Sequence, residues 1–163
     1  MKPLKLLLPL GIIVLILVAV FVYKPGAPGV TGDRVVSEDG SAELVSFFDA
    51  LAAKNYAQAA EYVQANCSSK PCFAENKSAD DIASDLKTLC EDHFCTRVEI
   101  DGLGTATTSG LFPHTVAFLD SEGNRQPVCI DTECQIKKNT TQFRMKNVDG
   151  LFYLVDVPPI KLN

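Results

Sequence analysis

The chain is expected to fold as an α+β domain, helices first and an antiparallel sheet after, preceded by one transmembrane or signal helix. Three observations carry this. Apolar residues recur at helical spacing beyond residue 40, they alternate with polar ones beyond Cys95, and an uncharged apolar run opens the chain. The 163 residues and 17.7 kDa allow one domain with a tail. Charged residues at 21% and hydrophobics at 47% exclude a wholly disordered chain.

The leader is residues 1–24. Lys2 and Lys5 make a basic start, and residues 6–23 carry no charge. Eighteen residues span about 27 Å as a helix, enough to cross a bilayer. A cleaved signal has a shorter apolar core followed by small residues. Here the run ends Phe21-Val22-Tyr23-Lys24-Pro25, so an uncleaved anchor is the expectation, with secretion after cleavage as the alternative. The basic flank keeps the amino terminus cytoplasmic and sends the rest out of the cytoplasm. The expected location is the cell membrane, single-pass, with the lipid bilayer contacted through residues 6–23.

Residues 25–40 hold Pro25, Gly26, Pro28, Gly29, Gly32 and Gly40 and read as a linker. Residues 41–163 form the exported domain. All twenty acids but only twelve of the fifteen bases lie beyond Lys24. That excess of eight negative charges repels nucleic acid and anionic lipid, so no nucleic-acid partner is expected.

Six cysteines stand as Cys67/Cys72, Cys90/Cys95 and Cys129/Cys134, each with four residues between. An even count in an exported domain reads as disulfides. Six cysteines allow fifteen pairings; three local bridges, 67–72, 90–95 and 129–134, are the simplest. Zinc sites favour two-residue spacings, which are absent, and His93 between Cys90 and Cys95 reads as a surface residue. No metal and no cofactor is expected.

Leu44, Phe47, Phe48 and Leu51 give a helix over residues 41–53. Asn55, with Gln58 three residues on, caps a second helix bearing Tyr56, Ala59, Ala60 and Val63. Ser78 and Asp81 open a third, with Ile82, Leu86, Leu89 and Cys90 on one face. The period then falls to two. Strands are expected over 97–101, 114–120, 125–130, 139–148 and 151–157, with Pro127 marking an edge or bulge and Asp149-Gly150 a two-residue hairpin turn. Neither layer buries its apolar side alone, so the helices cover one face of the sheet.

The stretch SAELVSFFDALAAKNYAQAAEYV, residues 41–63, resembles the opening helix pair of the nuclear transport factor two-like superfamily. The closing FRMKNVDGLFYLVDVP, residues 143–158, resembles its last strand pair. The resemblance implies a cone-like fold in which a curved sheet wraps the helices around an apolar pocket. It also implies a choice among isomerases, dehydratases, ligand-binding domains and interaction modules. The chain departs from the family in lacking tryptophan, with Phe152 or Tyr153 in the last strand instead, and in its three cysteine pairs.

The functional expectation is a membrane-tethered, extracytoplasmic, non-enzymatic domain binding a small ligand or an exported protein. The alternatives are an isomerase- or dehydratase-type enzyme and a structural part of an envelope complex. An enzyme of that type needs a carboxylate or imidazole beside an oxyanion donor. Pocket candidates are Tyr56, His114 and Tyr153, and Asp49 and Asp101 are further carboxylates. Asp49 is expected on the polar helix face, Asp101 at a strand end and His114 at a strand start. No catalytic motif joins them, and no catalytic residue is assigned.

Overall fold

A computed structural model describes residues 34, 36–65, 72–92, 95–129, 135–156 and 161–162. The chain divides into two compact units, Met1–Asp33 and Arg34–Asn163; all described residues lie in the second. The apolar leader and its anchoring role lie outside them. Among the described residues no helix is long and apolar enough to cross a membrane.

Three helices come first: α1 (Ser41–Ala52), α2 (Tyr56–Ala60) and α3 (Ala79–Asp92). In α1 the residues at helical spacing are the buried ones, Leu44, Phe47, Phe48 and Leu51. In α2, Asn55 Oδ1 accepts from Gln58 N at 3.3 Å, while its amide donates to the Gln58 side chain at 2.9 Å. A reciprocal capping box starts α3: Ser78 Oγ accepts from Asp81 N at 3.2 Å, and the Asp81 carboxylate accepts from Ser78 N at 3.0 Å. Ile82 and Leu86 bury its apolar face.

The main sheet is antiparallel, in the order β1 (Val98–Leu103), β2 (Leu111–Leu119), β6 (Thr141–Val148), β7 (Leu151–Leu154). β3 (Arg125–Gln126) pairs with the far end of β2. β4 (Val128–Cys129) leaves for a small sheet with β5 (Lys137–Lys138) and β8 (Lys161–Leu162). The expected strand over 125–130 is therefore split at Pro127, which has no amide hydrogen to give a ladder. β2 starts at Leu111 rather than His114, because its first residues pair with Met145 and Lys146. His114 thus stands within the strand, opposite Phe143 and Leu103. Asp101 lies inside β1 beside a bulge between Ile100 and Gly102. Asp149 and Gly150, at φ 53° and 86°, make the two-residue turn from β6 to β7.

Helix α1 lies on the sheet against β1 and β7, α2 packs on α1, and α3 on α2. Where α1 meets the sheet the interior is aromatic. Phe48 stands edge-on to Phe47, Phe118 and Phe143 at centroid distances of 5.0, 5.5 and 5.2 Å. Such pairs add specific geometry to the burial of large apolar area.

Cys90 near the end of α3 is bonded to Cys95 before β1, with 5.3 Å between their Cα atoms, as the local pairing expects. Cys72 and Cys129 are also disulfide-bonded. Cys67 and Cys134, on which the pairings 67–72 and 129–134 depend, lie outside the described residues, as does His93.

Phe48→Ala should cost about 3–5 kcal/mol, the range for emptying an aromatic core position, read as a lower urea midpoint. Replacing Cys90 and Cys95 together by serine should cost about 2 kcal/mol, because the closed loop is short; a loss several times larger would mean that this bridge holds the core and not only the α3–β1 corner.

Candidate functional site

The buried carboxylate and imidazole of the described residues, Glu43 and His114, both meet the segment before α1. Arg34 and residues 36–40 form a strap that meets the start of α1 and residues within β2 and β7, fixed at three points.

The first is Glu43. It sits in the first turn of α1 and is 0% exposed. Its carboxylate accepts from the Ser37 backbone N–H at 3.2 Å to each oxygen, and from the Ser37 hydroxyl. The helix start also favours a negative charge there. Ser37 Oγ in turn accepts from Gly40 N at 2.9 Å, and Asp39 Oδ1 accepts from Ser41 N at 2.9 Å. The strap therefore satisfies donors that α1 would otherwise leave bare. The Ser41 side chain first, and this backbone N–H after it, hold the Asp39 carboxyl below its usual range against the opposing effect of burial.

The second is His114, 1% exposed. Its Nε2 lies 2.9 Å from the carbonyl oxygen of Asp39. A carbonyl only accepts, so Nε2 carries the proton and Nδ1 is the bare nitrogen of the neutral ring. Nδ1 is buried with no partner among the described residues. Burial pushes the imidazole below its usual pKa of 6.5, against the opposing pull of the Asp39 carbonyl and the charges of Asp39 and Glu43.

The third is Arg34. Its guanidinium lies over the Tyr153 ring at 4.2 Å and the Tyr62 ring at 5.1 Å. It donates to the carbonyl of Glu61 at 3.0 Å and to that of Phe152. The two tyrosines meet because the chain leaving α2 forms a parallel bridge to β7. In it Val63 faces Leu154, with Leu154 N donating to Tyr62 O at 2.7 Å and Gln64 N to Leu154 O at 3.2 Å. Directly after Asp39 the strap passes Gly40, at φ 87°. A Cβ there would come within 2.8 Å of the Phe152 ring, so the strap turns into α1 only with glycine.

Of the sequence candidates, His114 and Tyr153 both hold the strap. Tyr56 packs half-buried against the core at the head of α2. Asp49 is exposed, on the polar face of α1 as expected, and Asp101 pairs with Arg125. None of the five lines the cleft of about 390 Å³ bounded by Cys95, Thr96, Arg97, Asp120 and Gln126. Among the described residues no three His, Cys, Asp or Glu side chains gather as a metal site.

Arg34, Ser37, Asp39, Glu43 and Tyr62 were not singled out from sequence. Arg34 sits in a Pro/Gly-rich stretch whose composition reads as linker. One signal was present: Glu43 falls one residue before Leu44, at the border of the apolar stripe, where a carboxylate needs a partner.

Neutral His114 is favoured in the folded state, so its contribution to stability is present above the ordinary histidine pKa and lost as pH falls below about 6.5. The slope added by this one proton can reach at most about 1.4 kcal/mol per pH unit. Denaturation midpoints of wild type should therefore drop between pH 7 and pH 5.5 more steeply than those of His114→Gln; parallel curves would mean that His114 titrates alike folded and unfolded.

No protein-family model matches the chain, and no curated protein matches it. Among solved structures, the chain is similar to a protein described as a calcium/calmodulin dependent protein kinase II association domain from Xanthomonas campestris. That likeness has 15% identity and a TM-score of 0.37, over 82% of this chain and 92% of the other. It is also similar to Aln2 from a Streptomyces species, at 10% identity and a TM-score of 0.40, over 79% and 91%. A third is an uncharacterized cystatin-fold protein from Novosphingobium aromaticivorans, at 8% identity and a TM-score of 0.39, over 77% and 97%. Likenesses this distant say nothing of activity.

Proposed function

We propose that this chain is a membrane-tethered, extracytoplasmic domain of non-enzymatic type, with the nuclear transport factor two-like cone as its fold, that binds an exported protein partner in preference to a small ligand. The observation that carries this reading is how the buried polar groups are used. Glu43 and His114 are the buried carboxylate and imidazole among the described residues, at 0% and 1% exposure, and both are engaged by the strap. A general base must reach the proton it removes; these two face their own chain. The space where the helices meet the sheet is filled by Phe47, Phe48, Phe118 and Phe143, which supports a surface contact over a ligand held inside.

The tether rests on residues 6–23 and on the cysteines. Each described cysteine is bonded, which fits an oxidising compartment. The acidic balance of the residues beyond Lys24 favours a basic partner.

Protease added to intact cells should digest a carboxy-terminal tag on the full chain while leaving an amino-terminal one protected. A sheltered carboxyl terminus would remove both the export and the partner.

A further inference from the structure

The guanidinium of Arg34 occupies a place built by residues remote from it in sequence. Two consecutive pairs, Glu61-Tyr62 and Phe152-Tyr153, stand side by side across the Val63–Leu154 bridge. Each offers one backbone carbonyl and one ring to the same cation. Carbonyl oxygens and ring faces are both electron-rich, and a planar delocalised cation that forks to two acceptors while stacking on rings is what such a place selects. An ammonium, compact and strongly hydrated, fits it less well. The fold makes this box without help from the strap, because the bridge that aligns the pairs involves only residues 62–64 and 154.

The present occupant is held imperfectly. Arg34 Nε is buried with no acceptor among the described residues, and an unmet buried donor weakens its hold. Arg34 also lies at the start of the compact unit, immediately after Met1–Asp33.

We propose that the Tyr62–Tyr153 box is a guanidinium-binding site, closed in cis by Arg34, that an arginine of a basic protein partner takes when Arg34 leaves. The excess of acids beyond Lys24 draws such a partner in. This deepens the partner-binding reading above and rests on it: the tether carries its own surrogate ligand, and partner arginine and Arg34 exclude each other.

The test uses the full chain in detergent micelles, with ethylguanidinium as probe and ethylammonium as control, followed by calorimetry. Arg34→Ala should bind ethylguanidinium saturably, at least about tenfold more tightly than wild type does and more tightly than it binds ethylammonium. Adding Tyr153→Ala should abolish that gain. An Arg34→Ala protein that keeps native circular dichroism and no free thiol, yet takes up ethylguanidinium no better than wild type, overturns the proposal. Should that variant fail to fold, wild type decides. With ¹⁵N-arginine labelling, the Arg34 Nε–H signal should move toward its solvent-exposed position as the peptide Gly-Arg-Gly is added and stay in place with Gly-Lys-Gly. A signal unmoved by either overturns it. Because topology is read separately by protease, a chain correctly exported but indifferent to guanidinium sinks this inference alone.

Discussion

A carboxylate taken out of water must have its lone pairs filled, and Glu43 imposes that condition on everything around it. An isolated buried charge costs several kcal/mol after relaxation, so the Ser37 amide and hydroxyl have to stay where they are. Ser37 in place brings Asp39 and Gly40 into position, and these start α1. Helix α1 in place fixes the aromatic cluster against β2 and β6. A single buried side chain thus couples the segment before α1 to the packing of the core. The coupling is local in sequence, since Ser37 and Glu43 are six residues apart, and it joins contacts of much longer range, such as Asp39 to His114.

What was legible in the sequence follows from how each feature is encoded. The apolar stripes of α1 and α3, the capping residues Asn55 and Ser78, and the Asp149-Gly150 turn were readable because each acts within a few residues of itself. The Cys90–Cys95 bridge belongs to the same kind. The break at Pro127 was half legible: proline announced a disturbance, but not that the chain would change sheets there. The site was mostly illegible. Arg34 meets Phe152 across 118 residues, and no periodicity records such a meeting. Pro/Gly composition argued for a free linker, whereas one arginine, one serine and one aspartate were enough to dock its last part. His114 was legible as a titratable group and was misplaced by three residues of strand, which moved it from a strand start to the strand interior.

The two ends of the strap are held by different physics. At Arg34 the attraction is a delocalised cation on two rings, which survives salt better than an exposed ion pair does. At His114 it is one hydrogen bond to a neutral ring that burial keeps neutral. Surface ion pairs such as Arg125 with Asp101 and Lys87 with Glu91 are more exposed and add little by comparison.

The parallel bridge between Val63 and Leu154 has one more consequence. β7 is four residues long and ends the main sheet, and such a terminal strand offers its unpaired amides and carbonyls to any neighbouring molecule. Here Tyr62 O and Gln64 N take the amide and carbonyl of Leu154 from outside. A visiting strand finds no continuous template on that border. Self-stacking into fibrils from this side is thereby blunted by two hydrogen bonds from a segment with no regular structure of its own.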